Sequence, residues 1–228
     1  AGVSNLNWLG TDSTEYYDHY TIKSDHGWKQ LINMIDTLFF HPDHIDSVLN
    51  VDRVLWAFAV NTVLLNLDTY NGFYQHNYYL YRTGDGLFQM IPWDMTETYL
   101  GALLMNSPNS DSLYHYDPYN GYNSWWQPLC YRFTSDSAIG LYRDLYTAHI
   151  RTVLSESLDA AAIGDHVSYL QEIAYSAAAS DPSLLFGMAP FSSNVTQEFI
   201  IPNSFATAGI LSTVNIREQF LNNYPEIS

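Results

Sequence analysis

Lysine is nearly missing from this 228-residue chain: Lys23 and Lys29 are its two copies, and eight Lys+Arg in all face 24 Asp+Glu. The formal charge of −16 excludes nucleic acid and anionic membrane surfaces as partners, because like-signed surfaces release no counterions and repel. Cysteine is scarcer still. The single Cys130 rules out an internal disulfide framework and any cysteine-based zinc site. Long apolar runs are absent too: the longest, around Val54–Leu65, is interrupted by Asn61 and Thr62. It falls short of the ~18 residues a membrane span requires, so no membrane insertion is expected. Ala1–Gly10 has neither the basic start nor the apolar stretch of a signal peptide. What is abundant is apolar and aromatic surface. Hydrophobic residues make up 47% of the chain and aromatics 16%, with 19 tyrosines, which predicts a packed core rather than disorder.

Periodicity lays out the elements. Trp28, Leu31, Ile32, Ile35 and Leu38 recur at helical spacing after Ser24 or Asp25 as N-cap, and Pro42 ends that run. A second helix is expected from about Val51 to Leu65. Asn77–Arg82 and Leu87–Ile91 are β-like and joined by Thr83-Gly84-Asp85-Gly86, a hairpin over about 77–92 that Pro92 closes. Residues 101–127 read as an irregular, aromatic-rich loop. Helices are expected at Ser135–Ser155, Asp159–Ala178, Phe199–Ala208 and Thr213–Asn223. The sum is an α+β fold, mostly helical, with one central β-hairpin, in a single domain over residues 1–228.

Polar residues gather around that hairpin. Asn66-Leu67-Asp68 precedes a loop, His76-Asn77 enters the first strand, and Pro92-Trp93-Asp94 follows the second. A hairpin folds its two ends together, so Asn77 should approach Asp94, with Asp68 converging from the loop. The expected cluster holds two carboxylates and an amide, with Arg82 its one cationic neighbour. Such oxygens suit a hard divalent cation that keeps waters for a phosphate substrate. The order Asp, Asn, Asp also matches phosphoryl transfer, in which an Asp orients the acceptor hydroxyl and an Asn and a second Asp hold metal. The same residues also serve as helix-end and turn devices, and spacing alone leaves both readings open.

Three segments carry a resemblance: Asn66-Leu67-Asp68-Thr69-Tyr70, His76-Asn77-Tyr78-Tyr79-Leu80-Tyr81 and Ile91-Pro92-Trp93-Asp94-Met95. Together they closely resemble the spore-coat protein H (CotH) family of atypical, kinase-like proteins. Asn5-Leu6 through Lys23, Gln127–Arg132 and Ile216–Leu221 extend the likeness less specifically. The resemblance implies a secreted or cell-surface, ATP-dependent kinase that uses Mg²⁺ or Mn²⁺ and acts on Ser or Thr of a protein substrate. It implies Asp68 as the catalytic Asp, Asn77 and Asp94 as metal residues, and Trp93 as lining the nucleotide pocket or bracing Asp94. Asn66, Thr96 and Glu97 are secondary candidates. The family usually carries an acidic or amide residue where Thr96 stands, and Glu97 lies beside it. The resemblance also implies that this chain is a kinase-like C-lobe whose β-rich, lysine-bearing N-lobe is absent from it, so that activity alone is not expected.

Other patterns compete. His41-Pro42-Asp43-His44 has ligand-like spacing without a third partner, and no Gly-x-Ser-x-Gly turn supports Ser-His-Asp chemistry. The aromatic stretch 114–126, with Tyr114, Tyr116, Tyr119, Tyr122, Trp125 and Trp126, reads either as a loop anchored by its own rings or as a protein- or glycan-binding surface. The second reading makes the chain a non-catalytic adhesion module.

Overall fold

The computed structural model describes residues 3–101, 110–120, 125–184, 186–200 and 206–228. The first helix, α1 (Trp28–Phe40), buries Leu31, Met34, Ile35 and Leu38 at three- and four-residue intervals. It starts later than Ser24 or Asp25. Gly27 is its N-cap at φ 156°, a conformation that residues with a Cβ rarely adopt, and Ser24 Oγ donates instead to the His26 carbonyl at 2.6 Å. After a 3₁₀ turn at Pro42–Ser47 comes α2 (Val51–Val63). Strands β1 (Tyr78–Arg82) and β2 (Phe88–Pro92) form the antiparallel hairpin expected from the sequence, with Tyr78 opposite Pro92 and Arg82 opposite Phe88. The helices α3 (Ser110–Tyr114), α4 (Pro128–Phe133), α5 (Tyr142–Ser157), α6 (Ala160–Ser180) and α7 (Met188–Ser193) follow. Strands β3 (Phe199–Ile200) and β4 (Ala206–Thr207) then pair before α8 (Ile210–Asn222). The fold is α+β, helices with two small antiparallel sheets.

Three expectations are corrected. The helix expected at Phe199–Ala208 is replaced at its ends by β3 and β4; its middle, 201–205, lies outside the described residues. The helix expected from Ser135 starts at Tyr142, because Ile139 N–H closes back onto the Arg132 carbonyl (2.9 Å) and Gly140 sits at φ 55°. The stretch 101–127 is not uniformly irregular, since it contains α3; its positions 102–109 and 121–124, Tyr122 among them, lie outside the described residues.

Two compact units emerge. The first comprises Ala1–Thr62, Leu67–Met95 and Asp117–His149; the second comprises Val63–Asn66, Thr96–Tyr116 and Ile150–Ser228. The core of the first is built from α1, the inner face of α2 (Val54, Leu55, Phe58), α4 (Leu129, Cys130, Phe133) and Tyr16, Tyr70 and Tyr146, all essentially buried. Side chains of this size contribute roughly 1.5–3 kcal/mol each on burial. The hairpin joins this core through Phe88 and Met90, which alternate inward along β2. Phe88 also ties β2 to the start of α2: its N–H donates to the Val48 carbonyl (2.8 Å) and its carbonyl accepts from Asn50 N–H (2.9 Å).

In the second unit, α8 buries Val214, Leu221 and, unusually, Arg217. The Arg217 guanidinium donates to the Tyr116 and Tyr114 carbonyls (2.7 and 3.3 Å) and lies over the Phe220 ring. Helix α6 is capped by Asp159, which accepts from Ala162 N–H at 2.6 Å, yet none of its residues is buried. Among the described residues, no helix is long and apolar enough to cross a membrane.

Candidate functional site

The loop after α2 is held from below by a buried polar network. Asn61 Nδ2 donates to Thr69 Oγ1 and Asn71 Oδ1 (both 3.3 Å), and Asn71 Nδ2 donates to Thr62 Oγ1 (3.0 Å) and the Phe58 carbonyl (3.2 Å). These groups lie at most 9% exposed, where an unpaired amide costs about 1–3 kcal/mol, so the loop has one favourable seating. Phe73 N–H closes onto the Leu67 carbonyl at 2.7 Å. Gly72 passes so near that a Cβ there would stand 2.0 Å from the same oxygen. From α4's entry, the buried Gln127 side chain donates to the Tyr70 and Gly72 carbonyls (3.0 and 2.8 Å). Tyr70 is itself fixed: its hydroxyl donates to the Asn5 carbonyl (2.7 Å) and accepts from Leu129 N–H (3.2 Å).

This seating presents Asp68. Its carboxylate is about one-fifth exposed and both oxygens are engaged, Oδ1 by His76 Nε2 at 2.5 Å and Oδ2 by Asn77 Nδ2 at 3.0 Å. Asn77 Nδ2 also donates to the Asp68 carbonyl at 2.8 Å. The structure thus brings Asp68 and Asn77 together as the sequence order anticipated. The group beside Asp68 is the His76 imidazole, while Arg82, expected as the cationic neighbour, has its Nε on the Gly86 carbonyl. His76 is not among the site candidates read from the sequence. Its signal was adjacency to Asn77 at the same hairpin entry.

The two ends of the hairpin meet in the backbone. Trp93 N–H donates to the Asn77 carbonyl at 2.9 Å, one rung beyond the strand pairs, and Asp94 is the next residue. Asn77 (φ 55°) and Asp94 (φ 53°) both take left-handed backbone, a region non-glycine residues enter at some cost and Asn and Asp enter most readily. The two left-handed residues thus stand at the same end of the ladder. Asp94 is exposed. Trp93 is 58% exposed and meets Tyr79 edge-on at 5.3 Å.

The remaining candidates belong to the second unit. Asn66 is buried, Thr96 is exposed, and the Glu97 carboxylate turns toward Gly101, whose N–H donates to the Glu97 carbonyl (3.2 Å). Of the aromatic stretch, Tyr114 and Tyr119 are buried anchors, whereas Trp125 and Trp126 are exposed.

A divalent cation fits the oxygen chemistry here. The Asn77 amide gives its N–H groups to Asp68, which leaves Oδ1 as its acceptor atom, and Asp94, an exposed residue, adds a carboxylate. Two protein oxygens plus water and phosphate is the Mg²⁺ pattern. Among the described residues, no three His, Cys, Asp or Glu side chains gather as an all-protein cage, and this includes His41 and His44.

A family model described as CotH kinase protein matches residues 3–200 of the chain. No curated protein matches it.

Proposed function

The chain belongs to the CotH kinase family, and from that premise we propose that it transfers the γ-phosphoryl group of ATP to a Ser or Thr hydroxyl of a protein substrate. Its helices and hairpin would then form a kinase-like catalytic lobe, acting outside the cell or at its surface. The observation that carries this reading is the Asp68–Asn77 contact at the mouth of the hairpin, one backbone rung from Asp94.

In this reading Asp68 orients the acceptor hydroxyl and takes its proton. Its Oδ2 is held by Asn77 and its Oδ1 by His76, so the carboxylate plane is fixed before substrate arrives, which lowers the ordering cost of the reactive complex. Asn77 Oδ1 and the Asp94 carboxylate would hold Mg²⁺ or Mn²⁺, which supplies charge neutralisation for the phosphates. The rigid polar base under residues 67–72 keeps Asp68 in register with the hairpin.

Calorimetry on the full-length protein tests this. Mg²⁺- or Mn²⁺-dependent ATP binding is expected, weakened at least tenfold by Asp94→Ala. Asp68→Asn should keep nucleotide binding while reducing γ-phosphate transfer to a Ser/Thr acceptor by about 10²–10⁴. Absence of metal-dependent nucleotide binding, with Asp94→Ala indistinguishable from the parent, overturns the reading.

One observation favours a second reading, a non-catalytic binding module: Trp125 and Trp126 stay 65% and 45% exposed. There, replacing both tryptophans abolishes partner binding while Asp68→Ala leaves it intact.

A further inference from the structure

Beside the hairpin, within the first unit, lies a cleft of about 900 Å³ between β1 and the segment 19–31. Its lining is at odds with the rest of the molecule. Lys23, Arg82, His19, His26 and His76 face it, and not one of the chain's 24 acidic side chains does. Asp18 and Asp25 stand in the neighbouring sequence but outside the lining. Asp68 reaches His76 from outside the lining, with its carboxylate already engaged by His76 and Asn77, and Asp85 lies in the field of Arg82, so the charges left to an incoming ligand are Lys23 and the outer nitrogens of Arg82.

The cations are also available. Arg53, Arg132, Arg143, Arg151 and Arg217 each donate to a backbone carbonyl of the fold. Lys23, by contrast, is exposed and enters no hydrogen bond or ion pair among the described residues. Arg82 uses Nε on the Gly86 carbonyl (3.1 Å), and its side chain is otherwise solvent-facing.

Geometry narrows the occupant. All five β1 residues line the cleft. Successive strand side chains point to opposite faces, so an approach along the β1 edge meets all five, while Phe88 and Ile91 of β2 complete the lining behind them. That edge is open, because β1 pairs with β2 alone. The register decides which groups it offers. Asn77 accepts from Trp93, and Thr83 N–H donates to Leu87 (3.0 Å), so the odd-numbered residues between them face β2. The N–H and C=O groups of Tyr78, Leu80 and Arg82 therefore face outward, and none takes a partner among the described residues.

We propose that this cleft receives an extended acidic peptide of another protein as a third strand on β1, with peptide carboxylates paired to Lys23 and Arg82. Backbone pairing supplies affinity and the two cations supply sign selectivity, the usual division in strand addition. A nucleotide shares the negative charge but has no row of amides to match the edge. Asn77 and His76 also line the cleft, so the added strand would begin at the mouth of the site described above; the proposal rests on the open edge and the two cations and does not depend on phosphoryl transfer.

Fluorescence anisotropy with the full chain tests it. The probe is a labelled ten-residue peptide alternating Glu and Val, compared with its Lys-and-Val counterpart. The acidic peptide should bind at least tenfold more tightly. Lys23→Glu, which removes no contact of the fold, should weaken it at least fivefold, and adding Arg82→Glu should weaken it further. N-methylation of alternate peptide amides should abolish binding in one phase and leave it intact in the other. Equal affinity for both peptides overturns the proposal, as does indifference to N-methylation in both phases. Lys23-dependent ATP binding without peptide binding overturns it in favour of a nucleotide site.

Discussion

One added carbon at Gly72 would collide with the Leu67 carbonyl at 2.0 Å, and that carbonyl is backbone already bonded to Phe73 N–H. Nothing there can yield without moving Asp68, the next residue along. Gly72→Ala is therefore expected to cost about 3 kcal/mol, the upper end of ordinary single substitutions, and to loosen the Asp68–Asn77 contact. Denaturant unfolding of the variant checks the first effect. A variant as stable as the parent would mean that the loop is not closed as described. Gln127 is the complementary residue. Its two donated bonds to Tyr70 and Gly72 carbonyls explain why an amide stands at the entrance to α4, which sequence alone noted only as part of a pattern.

Among the elements, legibility followed the strength of local signals. Helices α1 and α2 were visible because their apolar residues repeat at three and four and their cores are deep. The hairpin was visible because alternating Tyr, Phe and Met flank a Gly-Asp-Gly turn. Boundaries were missed where tertiary contacts rather than propensity set them, as at Gly27 and at Ile139, whose N–H returns to Arg132. The two-residue strands β3 and β4 are too short to carry a period. At the site, the order of Asp68, Asn77 and Asp94 was readable, whereas the His76 bond depends on a loop path that only the Asn61–Asn71 network specifies. Helix α6 poses a different question, since it buries no residue and exposes Tyr169, Leu170, Ile173 and Tyr175. It is held at its start by the Asp159 cap and along one side by α8 and α7, where Gly164 lies against Leu211 and Gln171 donates to the Phe191 carbonyl. Asp159→Ala, worth about 1 kcal/mol, should therefore accelerate amide exchange most in its first turns and leave α1 and α2 unchanged. Uniformly slow exchange along α6 in both proteins would contradict this.

For the molecule as a whole, buried phenols impose an alkaline limit on stability. Burial pushes the phenols of Tyr20, Tyr70 and Tyr78 above the usual tyrosine value, all in the first unit, and Tyr70 and Tyr78 by a wide margin. Each folded-state value exceeds its unfolded one, so their contribution is fully present below about pH 10 and is lost as pH rises toward the elevated values. Phenolate absorbance at 295 nm should therefore show a late, cooperative step that coincides with loss of helical circular dichroism. A smooth titration of every tyrosine with the helices intact would rule this out.

The shortage of lysine with which the chain announces itself also has a practical side. An amine-directed acylating reagent would find only two side chains to modify, Lys23 in the cleft and Lys29 on α1, outside its lining. Both are exposed, so Lys29 serves as an internal reference for reagent dose. The ratio of the two labelled peptides in a mass spectrum then reports whether the cleft is filled, with no tag, mutation or foreseen ligand. A chain this poor in ammonium groups carries its own occupancy gauge.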